Sequence, residues 1–254
     1  MTPVELVLAA LAAAAGGAIN AIAGGGTLVT FPAIVALGVP PLVANATNTV
    51  SLWPGSLGSV WGYRQHVSGM RPWLFRFTIP SVLGGALGGW LLLATGEQRF
   101  SRIVPFLVLG ATVLFMVQGP LTRWIHGHHV PTPPETPPLS VLTWQLGVGV
   151  YGGYFGAGIG ILMLAAIGFM GHTDIHRMNG LKNWSGTCIN AVAAVIFAVS
   201  GVVDWPLAAA MIVGAIVGGY GGARLAQRVG REAVRKAVVA IGIAATGYLL
   251  FWGR

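Results

Sequence analysis

Six apolar runs, at about 3–23, 72–95, 103–121, 139–158, 205–225 and 237–252, limit what this chain can become. Each has, or nearly has, the roughly 20 residues that a helix needs to cross the hydrocarbon of a bilayer. Charge points the same way. Only 8% of the residues are charged and 55% are hydrophobic, where a soluble domain carries about 25% charged residues. A water-soluble fold of this size could not clothe itself with so few. Fourteen basic residues stand against six acidic ones, a formal +8, and they gather between the apolar runs. That is the distribution of cytoplasmic loops on a membrane protein, so the expected partner is the lipid bilayer and not nucleic acid. The opening stretch lacks a basic leader and carries Glu5, which predicts a retained membrane helix and no cleaved signal. One cysteine, Cys188, cannot close an internal disulfide.

Two regions break the pattern. Each has a short apolar piece, near 26–38 and 160–171, then a polar break, then a longer piece rich in Asn, Ser and Thr, near 43–62 and 178–200. Interrupted helices survive at membrane depth only where protein or a watery cavity satisfies the freed backbone. The regions also match each other at an offset of about 134 residues. "GGGTLVTFP" from Gly24 faces "GIGILMLAA" from Gly158, Asn45 faces Asn179, Pro72 faces Pro206, and Gly84 faces Gly218. The expected division is a first transmembrane repeat over 1–122, a Pro/His-rich linker over 123–138 and a second repeat over 139–254. Arg64, Arg71 and Arg76 make one inter-helix region basic, whereas its counterpart holds Asp204. The positive-inside rule then favours inverted repeats, with Arg64 and Arg71 cytoplasmic and Asp204 on the other side, whereas a re-entrant short helix would change the parity and give parallel repeats.

Two groups of residues could bind an anion. The glycine clusters Gly24, Gly25, Gly26 with Thr27, and Gly156, Gly158, Gly160, each open a short helix. A helix start of this kind leaves backbone N–H groups at the positive end of the dipole, although small residues in membrane helices also serve close packing alone. The polar segments "ANATNTVS" and "RMNGLKNWSGTCIN" supply the rest: Asn45, Asn48 and Thr49 in the first, Asn179, Lys182 and Asn183 in the second. Lys182 replaces an amide by an ammonium inside the membrane boundary. A buried ionisable group there is a functional candidate unless its long stem lets it snorkel to the headgroups. The asparagines have interhelical hydrogen bonding as their plain alternative. Weaker signals are "HGHH" at His126, His128 and His129, a metal-like cluster in a solvated linker, and His172, Asp174, His176 and Arg177, which form either a gate or an ordinary polar turn. The tryptophans fall mostly near helix ends, as in an aromatic belt.

The segment "AGGGTLVTFPAIVALGVPPLVANATNTVSLWPGSLGSVWGYR" resembles the first repeat signature of the TauE/SafE sulfite exporter family. "GGYFGAGIG", "HRMNGLKNW" and "SGVVDWPLAAAMIVGAIVGGYGGARLA" resemble the second copy. The resemblance implies a multi-pass inner-membrane permease, without a cofactor, for sulfite, a sulfonate or a related small organosulfur anion. It places substrate contacts among Gly24 to Gly26, Asn45 to Thr49, Gly156 to Gly160 and Asn179 to Asn183. Leu181 and Lys182 depart from the Gly-Thr-Ser of many second repeats.

The expected architecture is therefore an all-α polytopic membrane protein of two homologous helical repeats with interrupted or re-entrant helices. Its substrate cavity would lie where those helices meet, with one half or its gating helices moving against the other. No nucleotide-binding loop is present, so an ion or substrate gradient would drive transport. The alternatives are a metal-cation transporter, an integral membrane enzyme using His126, His128, His172 and His176, or a subunit of a larger membrane complex. Six scattered acidic residues give an enzyme little to work with. A homo-oligomer is compatible with the sequence, which does not fix its state.

Overall fold

In lipid, an apolar run has no water to take its backbone N–H and C=O groups, so it must satisfy them along its own axis as a helix. The protein, seen in a computed structural model that describes residues 1–22, 25–127, 134–170, 174–229 and 231–251, is helical on this principle, with no strand among the described residues. In chain order the elements are α1 (Pro3–Ile22), α2 (Thr27–Ala36), α3 (Pro41–Tyr63), α4 (Arg71–Gly127), α5 (Leu139–Tyr154), α6 (Ile159–Phe169), α7 (Ile175–Ser200), α8 (Trp205–Val229) and α9 (Arg231–Phe251). A 3-10 turn, Ser68–Met70, leads into α4.

The long α4 is two helices end to end. Gly96 interrupts it at φ 71 and ψ 165, a conformation closed to a residue with a side chain, and divides it into arms over 71–95 and 97–127. These arms hold the runs expected at 72–95 and 103–121. Glu97, next to the break, accepts the Leu42 N–H at 3.1 Å and the Ser101 hydroxyl at 2.9 Å. It thereby satisfies a donor at the start of α3, where Pro41 fills a first-turn position that needs none. Among the described residues, four helical stretches are long and apolar enough to cross a membrane: Pro3–Asn20, Ser68–Gly119 with its break, His176–Ser200 and Ala233–Phe251. The run expected over 139–158 stops as a helix at Tyr154, because Gly156 and Gly158 both take φ +82. At 10 and 11 residues, α2 and α6 are about half as long as a bilayer crossing requires, as the interrupted pattern predicted.

Glycines set the closest helix contacts. On α8, a β-carbon at Gly214 or Gly218 would strike the carbonyl of Ala10 or Ala14 on α1. In the first arm of α4, Gly84 and Gly88 stand in the same relation to the carbonyls of Leu146 and Val150 on α5. Backbones approach this closely only through small residues, and in lipid such packing replaces the hydrophobic drive that water would supply. Each tight pair joins a helix before the 123–138 segment to one after it.

The same contacts give directions. Ala10 with Gly214 and Ala14 with Gly218 make α1 parallel to α8; Thr47 with Asp204 and Ser51 with Ala208 make α3 parallel to α8. The first arm of α4 runs with α5 and α7. Ser56 against Thr187 and Tyr63 against His176 set α3 and α7 antiparallel. One end of the bundle thus carries the Arg64–Arg71 turn and the start of α7, and the opposite end carries Asp204 and the Gly96 break. Exposed Phe75, Ile79, Phe106, Val199 and Val213 form the lipid-facing surface.

Candidate functional site

Where the two short helices begin, the packing opens into a cavity of about 850 Å³. Of the residues picked out by sequence, Gly25, Thr27, Asn48, Thr49, Gly158, Gly160, Lys182 and Asn183 line it, whereas Gly26, Asn45 and Asn179 do not. Gly24 lies outside the described residues. Lys182 is the one charged side chain among the described lining residues.

The first helix start is closed on itself. The expectation of accessible N–H groups there is corrected by Asn20, near the end of α1, whose Oδ1 accepts from Gly25 N–H at 3.0 Å and Gly26 N–H at 3.2 Å. Asn48 is clasped next: its Nδ2 lies 3.5 Å from Thr27 Oγ1, and the Thr30 hydroxyl sits between Asn48 Oδ1 and Gly26 O, able to donate to either. Gly26 itself is held against the Gly16 carbonyl, leaving no room for a β-carbon.

The second start is open. Gly158 caps α6 in the left-handed region, with no side chain bonded to the first turn. The positions that answer to Thr27 and Thr30 are Ile161 and Leu164, which offer no hydroxyl. Lys182 passes over this turn: a β-carbon at Gly160 would come 3.1 Å from its Cδ. An ammonium stem and an uncapped helix start therefore face the cavity together.

Asn45 acts in the framework. It is buried and donates from Nδ2 to the Tyr154 carbonyl at 3.0 Å, tying α3 to the end of α5. The Thr49 hydroxyl returns its proton to Asn45 O at 2.9 Å. Asn179 is half-buried outside the cavity.

Several lining residues escaped the sequence reading: Asn20, Gln118, Asn190, the Ser56–Thr187 pair bonded at 3.0 Å across α3 and α7, and the rings of Phe115 and Phe155. A signal for part of this set was available. Asn183, Thr187 and Asn190 are spaced i, i+4, i+7, one helical face of an otherwise apolar stretch. Phe155 lines the cavity beside Gly156. Its ring meets Phe31 edge-on at 5.4 Å between centroids and lies 6.5 Å from Phe100, which in turn meets Tyr154 at 5.7 Å. From there the cavity runs along α3 to Gly58 and Ser59, toward the end with the Arg64–Arg71 turn.

At that same end, Asp174 caps α7, accepting from His176 N–H at 2.9 Å and Arg177 N–H at 3.3 Å, and it pairs with Arg177 at 3.4 Å. The Arg177 N–H is the largest influence holding its carboxyl below the ordinary range, helped by the His176 N–H and the Arg177 charge. These contacts give the Asp174–Arg177 cluster the role of a polar turn; its His172 lies outside the described residues. The His176 ring stacks on His66 at 5.0 Å. His128 and His129 of "HGHH" also lie outside the described residues, and nothing is assigned to the His126 side chain.

Known proteins agree with this architecture. Residues 8–249 match the family described as Sulfite exporter TauE/SafE. A probable membrane transporter protein of Haemophilus influenzae is 29% identical over 92% of this chain and 89% of its own length. The probable membrane transporter protein ORF9 of Sinorhizobium sp is 27% identical over 92% and 88%. The probable membrane transporter protein YfcA of Escherichia coli K12 is 25% identical over 99% and 91%. No solved structure matches. A multi-pass helical bundle with a cavity at its interrupted helices, matched over residues 8–249, belongs to the sulfite exporter TauE/SafE family of membrane transporters.

Proposed function

We propose that this chain is a secondary transporter of a small organosulfur anion, such as sulfite or a sulfonate, bound in the cavity at the start of α6. The observation that carries the reading is Lys182, the sole charged side chain among the described lining residues, beside a helix start with no side-chain cap. Stripping an anion of water is costly, and a buried cation with backbone and side-chain donors offsets that cost. The amides of Asn183 and Asn48 lie on the same walls. The family's description names sulfite export, which supports the anion class.

Helix directions support a pair of inverted repeats, since α1 and α5, α3 and α7, and the first arm of α4 and α8 occupy matching places in the chain order and run in opposite senses. Arg64, Arg71, Arg177 and Arg235, the last against Gly119 far along the second arm of α4, lie toward one end, and Arg99 and Arg102 near the Gly96 break lie toward the other; the positive-inside rule assigns the more basic end to the cytoplasm. In that orientation the cavity extends inward from Phe155. The test is anion binding and proteoliposome flux for well-folded Lys182→Ala and Asn48→Ala protein, using sulfite, thiosulfate, sulfoacetate and taurine. Lys182→Ala should weaken binding about tenfold or more, the range of one charge-assisted hydrogen bond, and Asn48→Ala less. Unchanged values for both would move the site elsewhere.

A further inference from the structure

We infer that the C-terminal end of α5 binds a sodium ion beside the anion site. The inference rests on the transport reading above and adds a bound cation to it. Three carbonyls at this helix end take donors. Tyr151 O takes the N–H groups of Phe155 at 2.9 Å and Gly156 at 3.2 Å, Tyr154 O takes Asn45 Nδ2 at 3.0 Å, and Ala157 O takes the Tyr151 hydroxyl at 2.7 Å. Gly152 O and Gly153 O, which a helix end leaves without intrahelical partners, meet no donor among the described residues; Gly152 O is the one that faces the cavity side. It looks into the space that a β-carbon on Gly156 would fill, 3.1 Å away, and Asn190 Oδ1 looks into the same space from α7 at 3.9 Å. Gly156 and Asn190 both line the cavity, so this space is reached from it.

A side-chain oxygen beside the same helix end also lacks a donor. Asn45 is 1% exposed, and its Oδ1 has no hydrogen-bond partner among the described residues. Turning that amide over would not help, because Tyr154 O would then face an oxygen in place of a donor. Orphan carbonyl and amide oxygens at the negative end of a helix dipole are a cation's ligands. Their chemistry selects among cations. Divalent ions are held by carboxylates, and none stands among the described lining residues. A few neutral hard oxygens, with cavity space for water, suit a small monovalent ion. Coupling then follows from adjacency: the proposed anion site begins at Gly158, two residues past Gly156, so each charge raises the affinity of the other reciprocally.

The test reads the cation alone. The thermal unfolding midpoint of the full-length protein in detergent is measured in NaCl, KCl and choline chloride at equal ionic strength. NaCl should raise it above both other salts, Asn190→Ala should abolish the difference, and Asn190→Asp, which adds a charge, should lower the half-maximal sodium concentration about tenfold. Lys182→Ala should keep the sodium shift, so a failed anion site leaves this result standing. Equal midpoints in the three salts, a potassium effect as large as sodium's, or a sodium effect that survives Asn190→Ala would overturn the inference.

Discussion

The start of α2 and the start of α6 are built from similar glycine-led sequences and both line the cavity, yet at the first the polar side chains bond to one another and to nearby backbone, whereas at the second a lysine stands beside an apolar first turn. At α2, Asn20 takes two backbone N–H groups and the threonines clasp Asn48. At α6, no side chain caps the first turn, and Lys182 stands where the first segment has Asn48. The difference is one of partners: at the first start Asn20 takes backbone N–H groups, and at the second Lys182 passes beside a first turn that no side chain caps.

The largest effect should come from erasing this difference. Lys182→Asn makes the second segment resemble the first, and anion affinity should fall about tenfold or more, read by direct binding on folded protein. Retained affinity would mean that the charge is not what separates the two starts. Next come the glycines, which are needed for different reasons. Gly26 has helical φ, but a β-carbon there would strike Gly16 O, and such overpacking costs about 1–3 kcal/mol. Gly158 has contacts no nearer than 3.4 Å but sits at φ +82, where a side chain costs roughly 1–2 kcal/mol. Alanine at each should lower the denaturant midpoint, more at Gly26 than at Gly158; the reverse order would assign the first contact a softer fit. The smallest effect is expected from Asn20→Ala, about 1 kcal/mol of stability as for other lost caps, with a weaker influence on anion affinity than Lys182→Asn. A gain in affinity there would show that the freed N–H groups at α2 also accept an anion.

The helical course was readable because lipid leaves a backbone few alternatives: runs of the right length became α1, the arms of α4, α8 and α9, and the two interrupted regions became α2 with α3 and α6 with α7. Lys182 was readable for the same reason, as an expensive charge in an apolar setting. Asn45 and Asn179 were not separable from Asn48 and Asn183 by sequence, since an amide looks alike whether it braces a helix end or faces a cavity. Only the Tyr154 carbonyl decides for Asn45. Asn20 was hidden for another reason: its role is to meet backbone groups five and six residues away, and backbone donors leave no mark on residue identity. The break at Gly96 and the aromatic cluster around Phe155 likewise depend on which elements become neighbours.

The glycine contacts also constrain how the protein is made. A ribosome delivers α1 first, but the surface on which Gly214 and Gly218 receive its carbonyls emerges only with α8, and the first arm of α4 must wait for α5 in the same way. Until then the early helices sit in the bilayer as inserted but unmatched segments, their small-residue faces turned to lipid or to whatever other helix drifts past. Completion of the tertiary structure is thus deferred until α8 has emerged, and membrane quality control has that interval in which to inspect the unfinished chain.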